Sequence, residues 1–280
     1  MAMVREFAMA TKTWCEMTVR SRSVRLAGTV MAATVLAAGC GSEGGEEPRP
    51  VEQSSAILYS NVWSADPDVD LSQRGPELVR ATYESADYTR FVGQSRSFPG
   101  YPEAVGGPTR RSNADKEDFF TSAEPGEDEQ IALTNFLHIT GYAETATGIG
   151  ATVCSYNLHA DPGVNLSVEG LNLAYRIELE RIGEDGLPGI PDTDPARHDP
   201  RANRLPLWNV FDGWKITKLR YLRPTKGDEM PQGCIDWWLR QLPGFTQNAS
   251  AVVVPPPGFE PPTMPVAVQY PEWIGPATPE

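Results

Sequence analysis

The strongest constraint on the fold is a short stretch in which apolar and charged side chains alternate. In Asn172–Ile182 (NLAYRIELERI), apolar residues recur at every second position and the residues between them are mainly charged. Successive side chains of a strand point to opposite faces, so this pattern predicts a strand that is buried on one face only. The predicted buried face comprises Leu173, Tyr175, Ile177 and Leu179, and the predicted solvent face Arg176, Glu178 and Glu180.

Two further pairs of segments are typical of antiparallel hairpins. Segments 136–143 and 151–158 are rich in β-branched and aromatic residues and flank a turn that contains Thr and Gly. Segments 207–211 and 214–222 flank Asp212-Gly213, a dipeptide that favours a tight hairpin turn. The sequence therefore predicts an antiparallel sheet.

Two segments have helical signatures. Pro76–Val92 begins with a proline, which suits the first helical position, and precedes Gly93, which suits the C-terminal cap. Pro231–Leu242 predicts a second, shorter helix. In the first helix the charged residues share one arc and most apolar residues the other, which predicts that one side covers a core. The charged arc holds Glu77, Arg80, Glu84, Asp87 and Arg90.

The order of these elements predicts the α+β class, with an N-terminal helix packed on a curved antiparallel sheet. We place this single domain at residues 54–245. The closing segment, DGWKITKLRYL (212–222), is similar to the last strand of nuclear-transport-factor-2-like folds. That resemblance implies a cone-shaped sheet wrapped around helices with a pocket inside, and it is silent on activity, because such folds serve enzymes and binding modules alike.

The N-terminus has the layout of an export signal. Arg20, Arg22 and Arg25 precede an uncharged run of fourteen residues, Leu26–Gly39. As a helix this run would span roughly 21 Å, which is short of the ~30 Å hydrocarbon core of a membrane. We therefore predict a signal peptide at residues 1–39, with Met17 as an alternative start.

The end of the signal resembles the lipobox of bacterial prolipoproteins. Leu36-Ala37-Ala38-Gly39-Cys40 (LAAGC) carries the resemblance, which implies cleavage before Cys40 and diacylation of its thiol by acyl chains such as palmitate. Residues 40–53 then form a lipidated tether, and the protein lies on the extracytoplasmic face of the cell membrane. The alternative is an ordinary secretory signal that is cut near the same place.

Two of the four cysteines remain for the folded domain. Cys15 lies in the predicted signal and Cys40 is the predicted lipidation site, which leaves Cys154 and Cys234. In an oxidising compartment we expect these two to form a disulfide that pins the second predicted helix to a strand. The alternative is a pair of buried free thiols.

The C-terminal segment, residues 246–280, is rich in proline, with nine between Pro255 and Pro279. Proline favours extended polyproline conformation, so the segment could dock partners. Its apolar residues suggest equally that part of it lies back on the domain. The candidates are Phe259, Val266, Val268, Tyr270, Trp273 and Ile274.

Catalytic and metal-binding motifs are weak in this sequence. Asp66, Asp68, Asp70 and Glu77 match the carboxylate positions of a calcium loop, but Leu71 stands where that loop needs glycine. We interpret this segment as an acidic loop that leads into a helix.

A second acidic segment, 183–200, gathers Asp192, Asp194, His198 and Asp199 and could hold a metal, although a plain surface loop explains it better. No complete G-x-S-x-G or phosphate-loop motif occurs. We therefore assign no catalytic residue, no metal ligand and no cofactor.

Charge excludes one class of partner. The chain has a net charge of −13, and removal of residues 1–39, which carry five basic and two acidic residues, makes it −16. Nucleic acid is a poor partner for such a surface. We expect a non-catalytic envelope lipoprotein that binds an envelope protein or a small apolar ligand. The alternatives are an envelope hydrolase with a site assembled from distant loops, and a structural spacer.

Overall fold

The computed structural model describes residues 57–107, 125, 130–161, 171–224, 227–249 and 252–276. The predicted signal peptide, Cys40 and the tether at 40–53 lie outside these residues. Within the described part of the chain, no helix has the length and apolar character needed to span a membrane.

The described residues form helices and strands of very different lengths, from the two-residue strands to the 19-residue helix α1. In chain order they are β1 (Ser60–Ala65), α1 (Arg74–Val92), a 3-10 turn (Gln94–Arg96), α2 (Tyr101–Val105), β2 (Leu133–Thr145), β3 (Gly148–His159), β4 (Leu173–Arg181), β5 (Ala202–Asn203), β6 (Trp214–Leu222), α3 (Gln232–Gln241), β7 (Thr246–Gln247), β8 (Val253–Val254) and β9 (Trp273–Ile274).

The predicted α+β class is confirmed: α1 packs on a curved, largely antiparallel sheet of five strands. The sheet order is β1-β2-β3-β4-β6, with β1 parallel to β2 and every other pair antiparallel. The predicted first hairpin is confirmed as β2 and β3. The short strands β5 and β9 pair with each other, as do β7 and β8.

The two faces of the sheet are covered by different layers. The inner layer, defined by α1, α2 and their neighbours, packs on alternate residues such as Leu137, Val153 and Ile177, all fully buried. The predicted faces of β4 are confirmed, since Tyr175, Ile177 and Leu179 point into this core, whereas Arg176 and Glu180 are exposed. The outer layer, defined by α3 and the strands beneath it, is smaller.

The predicted disulfide is present in the outer layer. Cys154 of β3 and Cys234 of α3 are bonded, with their Cα atoms 5.4 Å apart. Both residues are fully buried. The indole Nε1 of Trp238 donates a hydrogen bond to the carbonyl of Ser155, at 2.9 Å, so α3 is fixed to β3 at two points.

The predicted second hairpin is wrong in its first half. Segment 207–211 forms no strand, and the antiparallel partner of β6 is β4. Val210 and Phe211 instead bury their side chains in the core. The Gly213 carbonyl accepts hydrogen bonds from the amides of Ile182 and Gly183, so the Asp212-Gly213 turn packs against the end of β4. The prediction from the Asp212-Gly213 dipeptide therefore paired β6 with the wrong segment.

The N-terminal part of the charged arc of α1 is not a solvent side. Glu77, Arg80 and Glu84 are 5%, 4% and 3% exposed, whereas Asp87 and Arg90, further along the same arc, are half-buried. The segment around Gly189 covers part of the arc, since the Gly189 amide donates to Glu77 Oε1 at 2.7 Å. The C-terminal segment covers Arg80 and Glu84, since Arg80 donates to the Pro271 carbonyl and Trp273 donates to Glu84.

The C-terminal segment lies back on the domain, which was one of the two predicted alternatives. Trp273 and Ile274 are 1% and 2% exposed, and Trp273 belongs to the inner core. Tyr270 lies beside the edge strand β1, where its carbonyl accepts from the Trp63 amide at 2.8 Å. The core therefore includes residues well beyond Phe245.

Candidate functional site

A cavity of about 370 Å³ opens where the inner layer meets the C-terminal segment. We call it the Trp208 pocket. Five parts of the chain enclose it: the loop after β1, helix α1, the loop at 189–193, Trp208 and the C-terminal residues 270–274. Ligand pockets of proteins commonly measure roughly 300–1,000 Å³, so this cavity is large enough for a small organic molecule.

Aromatic side chains form much of the wall. Trp208, Tyr270 and Trp273 all line the pocket, and the rings of Trp208 and Trp273 meet edge to face with centroids 6.2 Å apart. Trp273 is held in place because its Nε1 donates to Glu84 Oε2 at 2.9 Å. Rigid aromatic walls of this kind favour the flat or apolar part of a ligand.

A buried arginine lines the same pocket. Arg80 donates from Nη1 to the carbonyl of Pro271 at 3.0 Å, and its guanidinium lies 4.6 Å from the ring centroid of Trp273. Burial lowers the pKa of Arg80, and the charges of Glu84, Glu77 and Asp192 oppose that effect. Its Nε is buried without an acceptor. Within the described residues, no carboxylate oxygen forms an ion pair with Arg80.

The carboxylates around the pocket are already occupied. Glu77 accepts from Gly189 and pairs with Arg74, whose Nη1 lies 2.6 Å from Glu77 Oε2. Asp70 accepts from Ser72, and Asp192 Oδ2 accepts from the Glu272 amide. The lining therefore combines satisfied acceptors with donors that lack a partner.

The second acidic segment converges on one carboxylate. Glu272 accepts from the Asp199 amide at 2.6 Å and contacts His198 Nδ1 at 2.6 Å. Asp192 bonds the Glu272 backbone, and Asp194 is used within its own loop. In the described ranges, no group of three or more His, Cys, Asp or Glu residues is arranged to hold a metal ion.

The carboxylates that match the positions of a calcium loop bond to different partners and do not gather around one point. Asp66 bonds Thr140, Asp70 bonds its own loop and Glu77 bonds Arg74 and Gly189. This agrees with the interpretation of an acidic loop that leads into a helix.

A second constellation, which sequence analysis missed, lies on the other face of the sheet. His138 Nδ1 is 2.9 Å from Ser64 Oγ, and His138 Nε2 is 3.2 Å from Asp66 Oδ1. Ser64 and His138 are neighbours in the parallel register of β1 and β2. We call this arrangement the Ser64 relay. The sequence does not predict this meeting of Ser64 and His138, because no sequence signal pairs β1 with β2.

The electrostatics of the Ser64 relay favour a neutral imidazole beside an ionised carboxylate. Burial lowers the pKa of His138, and its hydrogen bond with Asp66 only partly opposes this. Burial would raise the pKa of Asp66, but hydrogen bonds from Thr140, His138 and the Gly141 amide outweigh it and lower the pKa. A bulge between Thr140 and Ala143 presents that amide, and Gly141 has a φ of 58°, which favours glycine.

The other contacts of His138 and Ser64 are compatible with a structural role as well as with a catalytic one. The His138 ring stacks on Trp237 of α3, with centroids 5.1 Å apart and an interplanar angle of 9°. Ser64 Oγ also lies 3.2 Å from the Leu137 carbonyl, to which it can donate. The hydroxyl therefore has two acceptors within reach, and only one of them would activate it.

A smaller cavity of about 150 Å³ lies between the C-terminal half of α1 and the sheet. Tyr59, Tyr83 and Tyr175 line it. Burial is the main reason that the pKa values of Tyr83 and Tyr175 are raised, so both phenols stay neutral. This cavity has less than half the volume of the Trp208 pocket, which makes it the weaker candidate for a ligand site.

No protein family, curated protein or solved structure matches this chain.

Proposed function

We propose that this protein is a non-catalytic binding module of the bacterial cell envelope, anchored by lipid at Cys40 and tethered through residues 40–53. Its domain binds a small ligand in the Trp208 pocket. The observation that carries the proposal is the pocket itself, in which aromatic walls surround a buried arginine with unused donors. Each unsatisfied buried group lowers the stability of the fold by roughly 1–3 kcal/mol. A structural spacer would lose this stability without any benefit, whereas a binding site recovers it when the ligand binds.

The test of binding is a fragment screen on the whole protein in detergent, read out by ligand-observed NMR. We expect hits whose signal disappears in Trp208→Ala. The matched control is Leu207→Ala, because Leu207 is 75% exposed and lies next to Trp208 in the chain. Hits that survive equally in both variants would place binding elsewhere and contradict the assignment of the pocket.

The test of anchoring is Cys40→Ala. We expect the wild type to partition into detergent and to incorporate labelled palmitate, whereas the variant accumulates unprocessed or as a soluble exported form. A wild-type protein that takes up no label would contradict the lipoprotein proposal. The negative charge of the chain supports the further expectation that nucleic acid is not a partner.

A second candidate function, an envelope hydrolase, is favoured by one specific observation, the Ser64 relay. With the Nε2 proton directed to Asp66, Nδ1 of a neutral His138 can accept the Ser64 proton, as a general base does for a nucleophilic serine. The two imidazole nitrogens are exchanged relative to the familiar serine-protease arrangement.

A fluorophosphonate probe distinguishes the two functions. A hydrolase would be labelled at Ser64, with labelling lost in Ser64→Ala and His138→Gln but retained in Ser72→Ala, a change at an exposed serine. Absence of labelling in the wild type would leave the relay as a structural hydrogen-bond network and favour binding alone.

A further inference from the structure

The geometry of the Trp208 pocket points to the chemical class of its ligand: we propose that it binds a small organic monocarboxylate with a flat, apolar body. This inference rests on the proposed binding function and adds its specificity. It follows from which groups of the pocket lack partners, which groups already have them, how much space there is and what the walls are made of.

The groups without partners are donors. Among the described residues, Arg80 donates a single hydrogen bond, from Nη1 to Pro271, so Nε and Nη2 have no acceptor. The indole Nε1 of Trp208 is likewise buried without an acceptor. Both residues line one cavity. Buried donors are normally satisfied, so unsatisfied donors on two residues that line the same cavity favour a ligand that supplies acceptor oxygens.

The buried charge strengthens this reading. Arg80 is 4% exposed, and a guanidinium taken out of water needs either a carboxylate partner or extensive hydrogen bonding. The charge of Glu84, one turn further along α1, is the largest that opposes the effect of burial on Arg80, but its two oxygens accept from the indoles of Trp63 and Trp273 and not from Arg80. An incoming carboxylate can provide the planar, charge-assisted contact that arginine makes best.

The protein's own acids limit the charge of the ligand. Asp70, Asp192 and Glu272 all line the pocket, and their oxygens already accept hydrogen bonds from protein donors. They therefore gain little from a ligand donor but repel additional negative charge. A single carboxylate, placed at Arg80, fits this arrangement better than a phosphate dianion or a polyanion.

The volume and the walls define the remainder of the ligand. A water molecule occupies about 30 Å³ in the liquid, so an inorganic ion would leave most of this cavity, about 370 Å³, unfilled. Trp208, Tyr270 and Trp273 offer aromatic surface for an apolar body. Indole-3-acetate and benzoate are suitable probes, since each joins one carboxylate to a flat ring.

The experiment compares each acid with its amide, which has the same shape and no charge. Isothermal titration on the whole protein in detergent measures indole-3-acetate against indole-3-acetamide, benzoate against benzamide, and inorganic phosphate. We expect the acids to bind at least tenfold more tightly than the amides, because a hydrogen bond to a charged group contributes more than a neutral one. We expect phosphate to bind more weakly than either acid.

Two variants assign this preference to the pocket. Arg80→Gln should abolish the difference between acid and amide, and Arg80→Lys should restore part of it. Because Arg80 is buried, its variants are informative only if their spectra are those of a folded protein and their thermal unfolding is cooperative. Trp208→Phe is the safeguard if they unfold, since it keeps an aromatic ring in the wall, removes the Nε1 donor together with part of the ring surface, and should weaken acid binding severalfold.

The outcomes separate this inference from the binding function. If acid and amide bind equally, and binding depends on Trp208, the carboxylate inference is overturned and the binding function stands. The same holds if neither binds while a neutral fragment does. If no compound binds in a Trp208-dependent manner, both proposals are overturned. A tenfold preference that Arg80→Gln removes, or that Trp208→Phe weakens, supports the inference.

Discussion

The inner and outer layers of this domain bury comparable kinds of apolar side chain but are secured in opposite ways. The outer layer is closed by a covalent bond between Cys154 and Cys234, with α3 packed directly on the sheet. The inner layer has no disulfide among its described residues, and it buries the charged side chains of Arg80 and Glu84 together with Trp273 from the C-terminal segment.

This difference between the two layers indicates which of them contains the ligand site. A layer closed by a disulfide and apolar contacts is stable but offers few unsatisfied groups to a ligand. A layer that buries unpaired donors at a cavity gives up stability there, which is the usual property of a binding site. The Trp208 pocket lies in the inner layer, and the following changes test the contrast between the two layers, from the largest expected effect to the smallest.

Trp273→Ala should damage the inner layer most. It removes a fully buried side chain, an indole donor to Glu84 and the ring beneath Arg80. A change from Trp to Ala in a core costs about 3–5 kcal/mol, and urea unfolding should measure a loss in that range. Trp273→Phe is the matched control that keeps a ring, and it should lose roughly 1–3 kcal/mol by leaving one Glu84 oxygen without its donor. A negligible effect of Trp273→Ala would show that the C-terminal segment contributes nothing to the core.

Cys154→Ser should damage the outer layer to a comparable but smaller extent. Loss of a native disulfide typically costs about 2–5 kcal/mol, so we expect a lower melting temperature. Cys234→Ser should behave alike, and the double variant should be no worse than either single one. In a protein built with Cys15 and Cys40 both replaced, thiol counting after denaturation should find free thiols only after reduction. Two free thiols before reduction would contradict the disulfide.

Gly189→Ala should disturb the pocket with a moderate loss of stability. A methyl group at this position would come within 2.8 Å of Glu77 Oε1 and 3.0 Å of the Ile274 carbonyl. Overpacking of this kind costs about 1–3 kcal/mol, so the loop should shift and ligand binding should weaken. Gly150→Ala is the control, because a methyl group there meets no atom within 4 Å. Equal binding by both variants would indicate that the loop at 189–193 does not shape the pocket.

Acid should weaken the outer layer through His138. Burial lowers the folded-state pKa of this imidazole below its unfolded value of about 6.5, so the unfolded chain binds more protons in that range. The stability contributed by neutral His138 is therefore complete above pH ~6.5 and is lost as the pH falls towards the folded-state pKa.

Melting temperatures measured from pH 8 to pH 5 check this expectation. The decrease in wild type should be smaller in His138→Gln, which cannot gain a proton in this range. If His138→Gln retains the whole decrease, another group is responsible.

Local pattern determined the individual elements well. Alternation in Asn172–Ile182 identified both faces of β4, and proline and glycine at the ends of 76–92 located α1. The expectation of export left only Cys154 and Cys234 for one bond, and these two are bonded. These inferences succeeded because each depends on neighbouring residues or on a count, which the chain carries before it folds.

Tertiary structure alone decided which distant segments meet. Asp212-Gly213 favours a hairpin locally, yet β6 pairs with β4 because Val210 and Phe211 gain more by entering the core. The charged arc of α1 reads as a solvent face until Trp273, nearly 200 residues later, covers it. The Trp208 pocket and the Ser64 relay arise in the same way, because helical and strand periodicity report how side chains are distributed around one element and carry no information on which other segment will cover it.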